Sequence, residues 1–370
     1  MDQKKDYSEL IGSNVLLIRM GGELGIKSRR TRRRMISLLR SNINELLKRA
    51  ELTFSIIDFR GRLLINFNPP VIPQNIILQI AQQISGISSL SQAFVIRSDE
   101  EEILANGVKL AFEFFPPHSS FAVRVRREGL HPFSSMEIAA KLGSKILESD
   151  ISGLKVNLTT PQVEIFLDVR GKLTFIYSEI IKGMDGIPSN SQGTAIALIR
   201  PNVNSILAAL LMKKRGVKIL PLFFRTGKKS ENIFIKYVEK HFSPIHTFIE
   251  LKSFFDLHKD EDNLCFYCQT VCETICQNYV SKGSVQTFIS PTCFNHNGET
   301  ISFKALSAME TQSNIVGLRP IQFGYHGNVP SIESLDDKTC CAYRDKLEIA
   351  LPNPINKKKI EIFLEKIETQ

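Results

Sequence analysis

The chain has 370 residues, 43% of them hydrophobic, a formal net charge of +9 and a pI near 9.1, which suits two or three domains and excludes a disordered chain. No basic-then-apolar leader stands at the start and no apolar run approaches the ~20 residues of a membrane span, so a soluble, cytoplasmic protein with no membrane partner is expected. The positive balance favours a polyanionic partner if the charge is clustered, and seven cysteines, none before Cys265, favour metal or redox chemistry over a disulfide scaffold.

Residues 14–19 read as a strand, followed by a turn-rich loop over 20–25 and a helix from about Ser28, its expected N-cap, to Arg49. Met35, Leu38, Leu39, Ile43, Leu46 and Leu47 give that helix one apolar stripe. Lys27, Arg29, Arg30, Arg32, Arg33 and Arg34 crowd its start, the wrong end for cations because the helix dipole is positive there. So dense a block points to nucleic-acid phosphates, the alternative being a solvated basic face. Residues 53–59 and 62–67 read as strands joined at Arg60-Gly61, completing a small ferredoxin-like α+β unit, and three prolines within 68–73 mark a linker.

Beyond it the pattern is helix (76–84), strand (90–96), helix (99–115), strand (121–126), helix from near Met136 capped by Ser134 or Ser135, and strands over 162–169 and 173–181. Arg124 and Arg126 alternate with Val123 and Val125, which places the cations on one face of the strand. A Gly/Ser-rich stretch over 182–192 reads as a second linker. Next come an apolar strand (196–199), a loop (200–204), a helix (205–215) and a second β run (217–224) that ends at Arg225-Thr226-Gly227-Lys228. A helix (231–241) and a strand (245–251) follow, the alternation of a doubly wound parallel sheet, whose ligands bind at the carboxyl ends of the strands. Cys265-Phe266-Tyr267-Cys268 stands at a loop-to-helix junction. The helix carries on through Cys272 and Cys276, read as apolar-face fillers, to Tyr279, and Cys293, Cys340 and Cys341 lie further on.

Two stretches resemble one family. Phe121, Arg124, Arg126, Arg127, His131, Phe133, Ser134, Ser135 and Glu137 resemble the THUMP domain of the tRNA 4-thiouridine synthetases. The strand-loop-helix at 196–215 resembles that family's pyrophosphatase loop, Ser-Gly-Gly-x-Asp-Ser, with Arg200, Pro201, Asn202, Val203, Asn204 and Ser205 in its place. The resemblance implies N-terminal ferredoxin-like (1–72) and THUMP (73–182) domains, then an α/β adenine nucleotide alpha hydrolase-like domain (193–350) and a tail (351–370). It implies tRNA binding by Lys27, Arg29, Arg30, Arg32, Arg33, Arg34, Arg124, Arg126, Arg127 and His131, and tRNA thiolation, the transfer of sulfur to an ATP-activated uridine. The nucleotide positions would be Leu198, Ile199, Ser205 and Phe224, yet only the last Ser of the loop is kept, so ATP and Mg²⁺ binding is expected to be weak or absent. In archaeal-type members a C-x-x-C and a distant cysteine hold an iron–sulfur cluster. Here that implies Cys265 and Cys268, as catalytic and metal residues, with Cys340 or Cys341, zinc being the alternative. No rhodanese-like extension is expected. The alternative function is a non-catalytic tRNA-binding or iron–sulfur-carrying paralogue that has lost adenylation and works beside an active enzyme or sulfur donor. A homodimer is left open.

Overall fold

In the strand Asn14–Met20 every residue from Val15 to Ile18 is fully buried, Val15 and Leu17 on one face and Leu16 and Ile18 on the other. A strand apolar on both faces has to be central and covered on both sides. The computed structural model describes residues 7–228, 230–258, 264–291, 295–296, 299–300, 315 and 317–320, and of residues 258, 264–267, 295–296 and 299–300 the backbone alone. It falls into two compact units, Met1–Gly186 and Ile187–Gln370.

The first unit runs β1 (Asn14–Met20), a single turn α1 (Gly22–Gly25), α2 (Arg29–Arg49), β2 (Phe54–Phe59), β3 (Arg62–Phe67), α3 (Gln74–Gln83) and β4 (Ile87–Arg97). It continues with α4 (Glu100–Phe114), β5 (Ser120–Glu128), α5 (Ser135–Leu147), β6 (Lys155–Val156), β7 (Val163–Arg170), β8 (Leu173–Tyr177) and β9 (Ile181–Lys182). Among the described residues these strands form one sheet, in the order β2-β3-β1-β4-β8-β7-β5-β6, with β9 also pairing β4. β4 is the hinge of this arrangement. Eleven residues long, it pairs antiparallel with β1 over Ile87–Phe94 and with β8 over Phe94–Arg97. The ferredoxin-like βαββαβ set therefore takes in α3 and the front of β4, past the boundary read at residue 72, and shares its last strand with the THUMP sheet.

Local chemistry sets the element ends. The Ser28 side chain accepts from Thr31 N and starts α2, and Asp99 accepts from Glu102 N to start α4. Ser134 and Glu137 form a reciprocal capping box at α5, and those hydrogen bonds hold the Glu137 carboxyl below its ordinary pKa. Arg60 and Gly61, both at positive φ, make the two-residue turn between β2 and β3. Leu16, Leu39, Ile43, Leu63 and Ile77 pack α2 and α3 onto one face of the sheet, and Ile103, Leu142, Ile146, Ile165 and Leu167 do the same for α4 and α5. The turn-rich loop expected over 20–25 contains the α1 turn. The two-residue strand β6 was not read from sequence, its Lys155 and Val156 being exposed and without alternation.

The second unit runs β10 (Thr194–Ile199), α6 (Val203–Lys214), β11 (Lys218–Arg225), α7 (Glu231–His241), β12 (Thr247–Glu250), α8 (Lys252–His258) and α9 (Leu264–Lys282). Then come β13 (Phe288–Ile289), a two-residue antiparallel pair β14 (Asn295–His296) and β15 (Glu299–Thr300), and β16 (Gly317–Leu318). Its main sheet is parallel throughout, in the order β12-β11-β10-β13-β16. Ile196, Leu198, Leu222 and Phe224 pack with Phe255, Cys268, Cys272, Ile275 and Cys276 of α8 and α9. The α6 helix begins at Val203, two residues earlier than the sequence reading, because Asn202 caps it: its Oδ1 accepts from Ser205 N at 2.9 Å.

In the first unit Asp168, 1% exposed, accepts from Arg62 Nε at 3.1 Å and from Arg170 Nε at 2.8 Å. Arg170 Nη1 also donates to Arg60 O at 2.7 Å and to the Glu128 carboxylate. One carboxylate thus ties β3 to β7 across the sheet. Replacing Asp168 with Ala leaves two guanidinium groups without their shared counter-charge. The expected cost is about 3–5 kcal/mol in the urea unfolding of this unit; a loss below about 1 kcal/mol would show that water replaces the carboxylate.

Candidate functional site

Each unit carries one concentration of charge. In the first, Lys27, Arg29, Arg30, Arg33 and Arg34 are exposed and Arg32 is half-buried, around the start of α2, where the first turn holds no acidic residue. Like charges beside a positive helix end repel one another and the dipole, so the fold gains nothing from this block. Arg126 and Arg127, at the end of β5, are exposed as well. Arg124 differs from them: its Nε donates to Glu164 at 2.8 Å and its Nη2 to Leu158 O at 2.8 Å, so its head is held by the protein. His131 is half-buried, with Nε2 3.2 Å from Glu128 O and the ring stacked on Phe133. Leu130 and Met136 flank it, 101% and 83% exposed. Large apolar side chains left in water beside arginines suit contact with a base or ribose face, a feature that the charge pattern alone did not show.

In the second unit the carboxyl ends of the strands face inward-turned polar groups. Arg200, the residue after β10, is 2% exposed. Its Nη2 donates to Gln269 Oε1 at 2.5 Å, and its Nη1 lies 4.0 Å from Cys268 Sγ. Gln269 Nε2 donates to Glu273 Oε1 at 2.8 Å and lies 3.2 Å from Ser290 Oγ. Ser290 Oγ, after β13, donates to Glu273 Oε1 at 2.5 Å, and Arg319 Nη2, after β16, donates to Glu273 Oε2 at 2.8 Å. The pairing of Gln269 with Arg200 and Glu273 was not read from the sequence. The signal was there: two polar residues at i and i+4 beside the apolar stripe Cys268, Cys272 and Cys276.

The loop at 200–205 is occupied by its own atoms. Ser205 Oγ lies 2.7 Å from Arg200 O, 2.9 Å from Asn202 O and 3.2 Å from Arg200 N, and Pro201 has no N–H. Leu198, Ile199 and Phe224 are buried core side chains at 1%, 0% and 0% exposure, so only their backbone could meet a ligand. At the end of β11, Glu231 Oε1 accepts from Thr226 N at 2.5 Å, Lys228 N at 3.2 Å and Thr226 Oγ1 at 3.2 Å.

Of the cysteines, Cys268 is 3% exposed and Cys272 and Cys276 are 0% exposed, all on one face of α9. Burial pushes the Cys272 and Cys276 thiols well above their ordinary pKa, which keeps them protonated and agrees with their reading as apolar fillers. The α9 helix starts at Leu264, so Cys265 lies within its first turn rather than in a loop before it. The Cys265 side chain, Cys293, Cys340 and Cys341 lie outside the described residues, and the described residues bring together no group of three metal-ligating side chains. Nor does any described helix have the length and apolarity to cross a membrane.

The ThiI ferredoxin-like domain model matches residues 15–91, and the THUMP domain model matches residues 97–179. A probable tRNA sulfurtransferase of Methanosarcina acetivorans is 33% identical over 223 residues, 59% of this chain and 53% of that protein. One of Thermococcus kodakarensis is 32% identical over 223 residues, 59% of this chain and 57% of that one. The chain spans about half the length of these relatives. Among solved structures, a Pyrococcus horikoshii protein superposes with a TM-score of 0.66 at 24% identity, over 87% of this chain and 98% of that one. A 4-thiouridine synthetase solved with RNA and bound ATP gives 0.69 at 17% identity, over 96% of each chain. These likenesses define a protein with ferredoxin-like and THUMP domains followed by a parallel α/β unit. The matched regions are those of the ThiI-like proteins, a ferredoxin-like and a THUMP domain in that order.

Behind the loop of the second unit, Lys213 of α6 is 7% exposed, donates to His241 O at the end of α7 and lies 5.5 Å from the Phe242 ring centroid. Burial lowers its pKa from 10.5 to about 7. The unfolded chain keeps that proton up to its ordinary value while the folded chain releases it near neutrality, so stability rises with pH between the two. Urea unfolding of wild type and Lys213→Met from pH 7 to 10 is expected to show a wild-type slope steeper by up to about 1.4 kcal/mol per pH unit. Parallel profiles would mean that Lys213 stays charged in the fold.

Proposed function

We propose that this protein binds tRNA through its N-terminal unit and acts in tRNA thiolation. The observation that carries the reading is the exposed cation block at Lys27, Arg29, Arg30, Arg33 and Arg34, with Arg126 and Arg127, inside the two regions matched by the ferredoxin-like and THUMP models. The relatives named tRNA sulfurtransferase and the likeness to a synthetase solved with RNA support tRNA as the polyanion. Arg32 and His131 sit beside the cations as secondary contacts, and Arg124 acts through its hold on Glu164 and the 158 loop. Binding by phosphate neutralisation makes log affinity fall with log salt, by about 0.7 to 0.9 per contact. Replacing Arg30, Arg33 and Arg34 together with Ala should weaken tRNA binding and flatten that salt slope by about 2 to 3. An unchanged slope would remove the block from the interface.

A second reading, in which the chain assists thiolation without adenylating the uridine, is favoured by the 200–205 loop. A phosphate cradle needs free N–H groups and glycines that let the backbone approach. Here Pro201 supplies no N–H, and the Ser205 hydroxyl is engaged by Arg200 and Asn202. Cys265 and Cys268, three residues apart on α9, have the spacing at which two soft donors share one centre, and with Cys340 or Cys341 they would hold an iron–sulfur cluster. Such a cluster would supply an iron able to carry sulfur. Anaerobic purification with iron, sulfide and zinc analysis is expected to find iron and sulfide that are lost in Cys265→Ala. One tightly held zinc would make the site structural, and seven freely titrating thiols would remove it.

A further inference from the structure

In an open parallel sheet, ligands are received outside the carboxyl ends of the strands, where the order reverses. Here the chain moves outward from β10 through β11 to β12, then returns to β13 on the other side of β10, so the reversal lies between β10 and β13. The residues that follow these two strands are Arg200 and Ser290, and Arg319 follows β16, which neighbours β13. Two guanidinium groups, a hydroxyl and the Gln269 amide are a donor set suited to an anion. The set already holds one. Glu273, 3% exposed, takes Arg319 and Ser290 directly, at 2.8 and 2.5 Å, and the Gln269 amide at 2.8 Å; that amide's oxygen in turn accepts from Arg200.

One strand over, the same thing happens in backbone form. The turn after β11 aims two N–H groups, of Thr226 and Lys228, and the Thr226 hydroxyl at a single point, with Gly227 at a φ of +79° between them. Converging N–H groups of this kind make an anion nest. The point is filled by Glu231 Oε1, from the first residue of α7.

We propose that the second unit is self-liganded: the carboxylates of Glu273 and Glu231 occupy the two anion-receiving places at the strand ends, so the folded unit takes up no nucleotide phosphate. This deepens the second reading above by naming what replaces the phosphates. It also gives Arg200 a role. A bulky cation directly after β10 bars the backbone approach that a phosphate loop requires, and it is neutralised through Gln269 by a carboxylate from α9. The arrangement binds α9, and with it the C-x-x-C turn, to the ends of β10, β13 and β16, making the unit a fixed frame for the cysteines rather than a cleft that opens for substrate.

The test uses the full chain, with inorganic phosphate, pyrophosphate and ATP–Mg²⁺ as probes in calorimetry and thermal unfolding. Wild type is expected to give no saturable heat and no Tm change with any of the three. Glu231→Ala and Glu273→Ala each vacate an anion place. Each is expected to bind phosphate or pyrophosphate at least tenfold more tightly than wild type, with a Tm rise of about 2–4 °C toward saturation. Glu231 is half-buried at a helix start, so its variant reports even if Glu273→Ala does not fold. Saturable ATP binding by wild type would overturn both this proposal and the second reading. Folded variants that respond to none of the anions would overturn self-ligation alone and leave the loss of ATP binding standing.

Discussion

Burying a carboxylate costs several kcal/mol unless its lone pairs meet donors of matching charge, and among the described residues each unit has such a carboxylate. Asp168 is held by Arg62 and Arg170, and Glu273 by Arg319, Gln269 and Ser290. Arg62 and Asp168 stand 106 residues apart, and Arg319 and Glu273 46 apart, so each pairing can form only when the sheet order is already correct. In the first unit the consequence reaches the candidate RNA surface. Arg170 holds Arg60 O in the β2–β3 turn and the Glu128 carboxylate at the end of β5, two residues from Arg126. That turn lies beside Arg32, whose Nη2 is 4.0 Å from where a Gly61 side chain would begin. The buried group thus reaches the turn beside Arg32 and the end of the strand that carries Arg126.

Arginine plays opposite parts in the two units. Around α2 the arginines other than Arg32 are exposed, so their mutual repulsion is softened by screening and a phosphate backbone gains by releasing counterions. At the strand ends Arg200 and Arg319 are removed from water and committed to α9. Exposed charge can be lent to a ligand, whereas buried charge left unpaired would endanger the fold. That contrast, more than the number of basic residues, separates a surface that awaits a polyanion from a framework that has satisfied its own charges.

Most of the fold was legible in the sequence because it rests on short-range patterns. Apolar spacing gave α2, Ser28 and Ser134 gave the caps of α2 and α5, and Arg60-Gly61 gave the hairpin. Two kinds of feature escaped. One was elements whose edges are polar or very short, such as β6, α8 and the early start of α6 at Asn202. The other was every long-range polar pairing, because Asp168 in VEIFLDVR looks locally like a solvent-facing residue of a half-exposed strand, while it is 1% exposed. The candidate site divides in the same way. The cation blocks were visible as runs, but the commitment of Arg124 to Glu164 and the burial of Arg200 against Gln269 needed the third dimension.

Gln269 shows how the two levels meet. It stands directly after the C-x-x-C, with Glu273 four residues further along α9. In the structure the Gln269 amide accepts from Arg200 through Oε1 and donates to Glu273 through Nε2, whereas a cation at that position has no acceptor to offer Arg200. A primary amide turns an acceptor to one neighbour and a donor to the other from two separate atoms. Arg200 in the loop and Gln269 on α9 therefore form one polar unit: the cation after β10 is met by an acceptor on the helix, and the same side chain passes a donor on to Glu273.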